Sequence, residues 1–165
     1  MAVISLKGQK VNTNGLLPAV GSKAPDFLLT PKDLKDVSLK DFTGRTVVLN
    51  IFPSLDTSTC AASVRRFNEI AGSKSSTAVL CISRDLPFAQ ERFCAAEGLK
   101  NVISLSEMRT LDFGEKYGIR ITDSPLKGLL ARAVVIIDSQ GKVIYTQLVP
   151  EIASEPDYEA ALKFI

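Results

Sequence analysis

The chain has 165 residues, the usual size of one domain, and its 45% hydrophobic and 23% charged content is typical of a globular protein. Twenty Lys and Arg against 18 Asp and Glu leave a net charge of +2, which argues against nucleic acid or an anionic membrane as a partner. The chain contains no histidine, and this excludes Ser-His-Asp triads, Cys-His dyads and histidine-ligated zinc or haem.

The N-terminal part of the chain predicts short strands joined by loops. Val3–Leu6 and a segment near Val11 flank a Gly-containing turn, which predicts a β-hairpin within residues 1–14. Phe27–Thr30 and Val37–Leu39 flank a turn that begins with proline, and they are predicted as two further short strands.

From residue 46 onward, apolar β-branched runs alternate with segments of helical spacing. Strands that alternate with helices predict an α/β fold, and a late hairpin makes the predicted sheet mixed. No linker interrupts the pattern, so residues 1–165 are predicted as a single domain. Two predicted helix N-caps are Asp85 and Ser154. The predicted elements are strand Thr46–Phe52, helix Cys60–Ala71, strand Thr77–Ser83, helix Leu86–Glu97, strand Val102–Leu105, helix Met108–Tyr117, hairpin strands Ala133–Asp138 and Lys142–Leu148, and helix Glu155–Phe164.

The three cysteines, Cys60, Cys81 and Cys94, form no C-x-x-C pair, so neither a zinc ribbon nor a thioredoxin-type redox pair is indicated. An odd number of cysteines in a chain of this length does not indicate a disulfide-stapled secreted domain. The N-terminus lacks the pattern of a signal peptide, and no apolar stretch approaches 18 residues. A cytoplasmic location is therefore expected.

Cys60 lies where a predicted buried strand is followed by an amphipathic helix, and ligands of α/β folds usually bind at this edge of the sheet. A helix N-terminus offers unpaired N–H groups and the positive end of the helix dipole, and both favour a thiolate over a thiol. Asp56, Thr57 and Ser58 surround the helix start and could cap it or form hydrogen bonds with the sulfur.

The helix dipole alone is too weak to make a cysteine reactive. A thiol with an ordinary pKa of about 8.5 needs roughly 3.4 kcal/mol of stabilisation to be mostly ionised at pH 7. A helix end supplies about 2 kcal/mol at best. A reactive Cys60 therefore needs another cation, and the candidates are Arg65, Arg66 and the more distant Arg132.

Each of these residues also has a purely structural interpretation. A cysteine is most often a small buried hydrophobe, and this interpretation is favoured for Cys81, which lies inside a predicted strand. For Cys60 the structural and functional interpretations are balanced, and for Cys94 the question is open. Arg65 and Arg66 fit a solvated helix face, from which only one of them could turn toward the sulfur.

Residues Asn50–Asn68 resemble the active-site segment of the peroxiredoxins, whose P-x-x-x-T-x-x-C signature is met by Pro53, Thr57 and Cys60. More narrowly, the chain resembles the bacterial thiol peroxidases, the atypical two-cysteine branch, over nearly its whole length. The further stretches similar to that branch are Val79–Ser83, Asp85–Gln90, Arg92–Cys94, Ala96–Leu99, Pro125–Gly128, Ala131–Ala133 and Glu155–Ala160.

The resemblance implies a thioredoxin-like fold with an N-terminal hairpin extension. It implies reduction of hydrogen peroxide and of alkyl or lipid hydroperoxides to water and alcohols, with thioredoxin as the reductant. It also implies a homodimer and no metal or cofactor. The alternative is a thiol redox sensor or regulator on the same fold without efficient turnover, and a non-catalytic thioredoxin-like binding domain is a further possibility.

By the same resemblance, Cys60 is the peroxidatic cysteine, which attacks the peroxide and becomes a sulfenic acid. Cys94 matches the resolving cysteine, which closes an intramolecular disulfide with Cys60. Thr57 and Arg132 match the residues that hold the thiolate and the peroxide, and Pro53 matches the residue that shields the sulfur. The third cysteine of the branch falls on Cys81 and is not implied to be essential.

Overall fold

A computed structural model describes residues 1–165. The chain contains nine strands and four α-helices, together with a 3₁₀ turn over Leu39–Phe42. The elements are β1 Val3–Leu6, β2 Gln9–Asn12, β3 Leu28–Leu29, β4 Val37–Ser38, β5 Thr46–Ile51, α1 Ser58–Ser73, β6 Thr77–Ser83, α2 Pro87–Glu97, β7 Ile103–Ser106, α3 Asp112–Lys116, β8 Ala133–Ile137, β9 Val143–Leu148 and α4 Tyr158–Leu162.

The central sheet has five strands in the order β7-β6-β5-β8-β9. Strands β5, β6 and β7 are parallel, whereas β8 runs antiparallel to both β5 and β9. The sheet is therefore mixed, as the late hairpin predicts. The thioredoxin-like α/β fold expected from the sequence is confirmed, and so is the N-terminal hairpin of β1 and β2.

Both faces of the central sheet are covered, which explains why its middle strands are apolar at nearly every position. Alternate residues of a strand point to opposite faces. In β5, Leu49 belongs to the larger apolar cluster, and Val48 belongs to the smaller one on the opposite face. Helix α1 covers the smaller cluster with Val64 and Phe67. The same smaller cluster contains Cys60, so the candidate site lies on the α1 face of the sheet.

Helix α2 differs from its prediction at its N-terminus. The helix begins at Pro87 with Leu86 as its N-cap residue, so the prediction of Asp85 as the cap is wrong. Proline suits the first helical position because its missing N–H has no partner there in any case. The predicted end is confirmed, because Gly98 adopts a left-handed φ of 68° as the C-cap.

Helix α3 is shorter than predicted and spans Asp112–Lys116 rather than Met108–Tyr117. Long-range polar contacts hold the preceding residues outside the helix. Arg109 Nη1 donates to Asp36 Oδ1 at 2.6 Å, and the buried carboxylate of Glu107 accepts from Arg120 Nη2, also at 2.6 Å.

Helix α4 spans Tyr158–Leu162, so the predicted range Glu155–Phe164 is too long at both ends. Its N-cap is Asp157, whose carboxylate accepts from Ala160 N at 2.9 Å, and the prediction of Ser154 as the cap is wrong. The residue before a proline avoids helical geometry, and Glu155 precedes Pro156. None of the helices has the length and hydropathy needed to cross a bilayer.

The hairpin of β1 and β2 is tied to the segment that follows β9. The Glu151 carboxylate accepts from Ser5 Oγ at 2.8 Å and from Lys7 N at 3.0 Å. The Ser5 hydroxyl and neighbouring backbone N–H donors, in that order of effect, lower the pKa of Glu151 to about 2. The hairpin also meets this segment through a backbone bond from Ile152 N to Ser5 O at 2.9 Å.

Candidate active site

Cys60 lies in the first turn of α1, three residues after the N-cap residue Thr57. The segment from Phe52 to Thr57 connects it to the end of β5. Its side chain is 0% exposed and belongs to the apolar cluster between α1 and the sheet. The backbone N–H groups in the first turn of a helix lack intrahelical partners. Cys60 therefore lies among unpaired donors at the positive end of the helix dipole.

Arg132 contacts Cys60 from the residue just before β8. Its Nη2 lies 3.2 Å from Cys60 Sγ, and its side chain is only 2% exposed. Its Nε donates to the carbonyl oxygen of Ile152 at 2.9 Å, whereas its buried Nη1 has no hydrogen-bond partner. Arg132 forms no ion pair with a carboxylate, unlike the other buried arginine, Arg120. A buried cation without a counter-ion is costly, and the Cys60 sulfur is the side-chain atom that this guanidinium contacts.

The segment after β9 holds both groups in place. The carbonyl oxygen of Ile152 orients the Arg132 guanidinium, and the carbonyl oxygen of Ala153 accepts from Thr59 Oγ1 in the first turn of α1 at 3.0 Å. Glu151 fastens the same segment to the N-terminal hairpin, as described above. The hairpin therefore supports the active site from behind rather than forming part of it.

The other two candidate arginines point away from the sulfur. Arg65 Nε lies 2.7 Å from the Glu97 carboxylate, and Arg66 Nη1 lies 3.1 Å from Glu69. The Arg66–Glu69 pair lies on the exposed side of α1, and the Arg65–Glu97 pair joins α1 to α2. Of the three arginines left open by the sequence, only Arg132 contacts Cys60.

Thr57 and Pro53 lie in the loop that precedes α1. Pro53 is buried, whereas Thr57 is exposed, and its hydroxyl donates to the carbonyl oxygen of Ser54 at 3.1 Å. The Thr57 hydroxyl makes no hydrogen bond to the sulfur of Cys60 and none to the helix start. Thr57 therefore closes the turn before Cys60 in this structure.

Cys94 lies apart from Cys60, in the middle of α2. The structure holds all three cysteines as free thiols. Cys94 is half-buried, its Sγ is 3.4 Å from Ser104 Oγ on β7, and it lines a cavity of about 790 Å³ that Cys60 does not line. Two strands separate β7 from β8, which puts them about 14 Å apart at the normal spacing of strands. A bond between Cys60 and Cys94 therefore requires one of their helices to move.

Cys81 lies inside β6 and is buried. Burial raises the pKa of its thiol to about 12, although the Asn50 amide, whose Nδ2 lies 3.7 Å from Cys81 Sγ, opposes this shift. Cys81 is therefore a neutral thiol at physiological pH.

Asp85 is a polar residue whose place in the site the sequence does not reveal. Its carboxylate accepts from Ser54 Oγ at 2.7 Å and from Leu55 N at 2.8 Å, both in the loop before Cys60. It also accepts from Ser83 Oγ at 2.7 Å. An aspartate just before a helix is normally interpreted as an N-cap, and no local pattern indicates a partner some 30 residues earlier.

Comparison with known proteins identifies the class. Residues 19–162 match the family model named Redoxin, and the chain belongs to that family. A solved structure of a peroxiredoxin-like protein from Aquifex aeolicus is 41% identical, with a TM-score of 0.94 over 99% of this chain and 95% of that one. A solved thiol peroxidase from Chromobacterium violaceum, at 24% identity, shares the fold with a TM-score of 0.90 over 98% and 94%.

Within the redoxin family, the chain is a member of the thiol peroxidases. Thiol peroxidases of Mycobacterium tuberculosis and Mycobacterium bovis are 59% identical over 162 residues, covering 98% of this chain and 97% of theirs. At this similarity over nearly the full length, the chain is a thiol-dependent peroxidase.

Proposed function

We propose that this chain reduces hydrogen peroxide and organic hydroperoxides with Cys60 as the attacking thiolate and Cys94 as the resolving thiol, and that thioredoxin restores the dithiol. The observation that supports this proposal most directly is the 3.2 Å contact between Arg132 Nη2 and Cys60 Sγ in a buried site without a carboxylate.

In the first step, the Cys60 thiolate attacks the terminal oxygen of ROOH. The S–O bond forms as the O–O bond breaks, Cys60 is oxidised to a sulfenic acid, and the departing RO⁻ takes up a proton to become ROH. Negative charge moves from sulfur to oxygen during this step, so fixed donors stabilise its transition state. Arg132 Nη1 is buried and unpartnered, and it is available to donate to a peroxide oxygen. We assign Pro53 to shielding the sulfur, and Thr57 to binding the peroxide once its hydroxyl leaves the Ser54 carbonyl oxygen.

In the second step, the Cys94 thiol condenses with the Cys60 sulfenic acid to form a disulfide, and water leaves. Helix α2 is suited to the movement that this step requires, because only Pro87 and Gln90 of its 11 residues are buried. Disulfide formation protects Cys60 from further oxidation to the sulfinic acid. A dithiol of thioredoxin then reduces the disulfide by thiol–disulfide exchange and is itself oxidised.

The decisive test is a steady-state assay in which peroxide consumption is coupled to thioredoxin, thioredoxin reductase and NADPH. Repeated turnover that depends on thioredoxin supports the proposal. Oxidation of one equivalent of protein without further NADPH consumption would instead favour a redox sensor.

Replacing Cys94 by Ser is expected to leave the first peroxide reaction intact and to block recycling by thioredoxin. The introduced hydroxyl cannot form a disulfide, so the Cys60 sulfenic acid accumulates and is trapped by dimedone. Mass spectrometry after one equivalent of peroxide, together with the coupled assay, measures both effects. We expect steady-state turnover to fall by at least about a hundredfold. If C94S turned over peroxide at the wild-type rate, Cys94 would not be the resolving cysteine.

Replacing Cys81 by Ser is expected to change steady-state turnover by less than about twofold, while it lowers the free energy of unfolding by about 1 kcal/mol. The thiol is neutral and buried, and a serine hydroxyl there gains only the Asn50 amide as a nearby polar group. The coupled assay and thermal unfolding measure the two effects separately. A large loss of turnover in a folded C81S protein would contradict a structural role.

We further propose that residues 1–165 act as one thioredoxin-like peroxiredoxin domain with residues 1–14 as a hairpin extension. We also propose that the protein works in the cytoplasm and that it forms a homodimer. The contacts of Glu151 with the hairpin support the single unit. Free thiols and a thioredoxin-dependent cycle suit a reducing compartment. The exposed side chains of Leu86 and Phe88 offer apolar surface for a second copy, which equilibrium sedimentation can test.

A further inference from the structure

We propose that Asp85 is a positioning residue that holds the loop before Cys60 in its reactive arrangement and links this loop to the helix of Cys94. This inference rests on the proposed roles of Cys60 and Cys94. Asp85 lies in the connection from β6 to α2, so it belongs to the Cys94 side of the molecule in sequence. Its carboxylate nevertheless binds the loop that leads into α1.

The loop before Cys60 depends on Asp85 for its fixed shape. The Asp85 carboxylate accepts from Ser54 Oγ at 2.7 Å and from Leu55 N at 2.8 Å. Ser54 in turn accepts through its carbonyl oxygen from the Thr57 hydroxyl, and Thr57 is the N-cap residue of α1. Hydrogen bonds to an ionised acceptor are about twice as strong as neutral ones, so they make a firm attachment.

The same network reaches α2 through Ser83. The Ser83 hydroxyl donates to Asp85 Oδ2 at 2.7 Å and accepts from Gln90 Nε2 at 3.1 Å. Gln90 also donates to the carbonyl oxygen of Leu105 at 3.0 Å. Since Gln90 is one helical turn before Cys94 and α2 has only one other buried residue, this side chain is the main polar attachment of α2 to the sheet.

One continuous set of hydrogen bonds therefore joins the loop of the attacking cysteine to the helix of the resolving cysteine. While it is intact, Cys60 keeps its place beside Arg132 and Cys94 stays against Ser104. Resolution requires this set to open. Asp85 thus positions Cys60 for the first step, and its link to α2 has to be released before the second.

The test is Asp85→Asn, with Asp112→Asn as the matched control at an exposed position of α3. Rapid quenching and mass spectrometry follow Cys60 oxidation and disulfide formation after one equivalent of hydrogen peroxide. A misplaced reacting group costs roughly tenfold to a hundredfold, and we expect the rate constant of Cys60 oxidation in D85N to fall within that range. The pH midpoint of that rate constant stays at its wild-type value, because Arg132 keeps its contact with the sulfur.

Two further variants separate positioning from folding. Ser54→Ala removes one bond to Asp85 and the longer bond that Ser54 Oγ accepts from Asp56 N at 3.3 Å, and we expect a decrease of about fivefold in the rate of Cys60 oxidation with little loss of stability. Gln90→Ala keeps all contacts of Asp85 with the loop but removes the bonds that attach α2 to Ser83 and Leu105, and we expect disulfide formation to be faster than in the wild-type protein.

The proposal is overturned if D85N and S54A oxidise Cys60 within about twofold of wild type, even where their melting temperatures fall, because that result marks Asp85 as structural only. An increased rate of Cys60 oxidation in D85N would equally overturn it. Failure of the underlying function is distinguishable, since the wild-type protein would then form neither a Cys60 sulfenic acid nor a disulfide.

Discussion

Replacing Cys60 by Ser is expected to reduce peroxide turnover to the level of an assay without protein, a loss of at least roughly a thousandfold. A serine hydroxyl is not ionised at neutral pH, even beside a guanidinium, and its oxygen cannot be oxidised to an analogue of the sulfenic acid. The loss is expected for hydrogen peroxide and alkyl hydroperoxides alike, because each requires the same attack on the O–O bond. The thioredoxin-coupled assay measures it.

The matched control for C60S is C81S, which makes the same chemical change at a buried cysteine in β6. Both variants must be compared by circular dichroism and thermal unfolding, so that lost activity is not confused with lost structure. The prediction also covers single turnover. Addition of one equivalent of peroxide to C60S should leave Cys94 as a free thiol. Rapid oxidation of Cys94 in C60S would show that Cys60 is not the cysteine that attacks the peroxide.

The central sheet could be predicted from the sequence because its strands are marked by local composition. Strand Thr77–Ser83 has the predicted bounds, and every one of its residues is buried. A β-branched run with both faces covered needs no information from elsewhere in the chain. The position of Cys60 at the start of α1, after the similar apolar run of β5, is predicted by the same kind of local pattern.

The helix ends were predicted less well, because tertiary contacts compete with local signals there. Asp85 and Ser154 are good N-cap residues by type, yet Asp85 binds Ser54 and Leu55, and the cap of α4 is Asp157. The buried pair of Glu107 and Arg120 is equally invisible in the sequence. Charged residues at such positions are usually interpreted as solvated, and only the fold brings the two together.

The choice among the three candidate arginines also required the fold. Arg65 and Arg66 are close to Cys60 in sequence and share its helix, but both are directed to surface carboxylates. Arg132 is 72 residues from Cys60 and contacts its sulfur. At 3.6 residues per turn, Arg65 and Arg66 point to other faces of α1 than Cys60, so nearness in sequence was a poor guide.

Replacing Arg132 by Met is expected to lower the rate constant of Cys60 oxidation by roughly a hundredfold to a thousandfold, the usual effect of removing one fixed donor from a developing oxyanion. Methionine preserves much of the volume and removes the charge, so the cluster around Cys60 stays packed. The substitution removes the cation that contacts the buried sulfur. Alkylation of Cys60 by iodoacetamide at pH 6 should therefore slow in parallel with peroxide reduction. Mass spectrometry of the peptide that contains Cys60 can follow both reactions.

Arg132→Lys separates charge from geometry in the same experiment. Lysine keeps the positive charge, but its single ammonium cannot reproduce the planar fork that binds the Ile152 carbonyl oxygen through Nε and Cys60 Sγ through Nη2. We expect R132K to recover most of the alkylation rate at pH 6 and only part of the peroxide rate, since Nη1 is then missing as a donor to the substrate. Arg65→Met is the control, because it removes a cation from α1 without touching Cys60. If R132M reacted with peroxide as fast as R65M, the guanidinium would have no part in the chemistry.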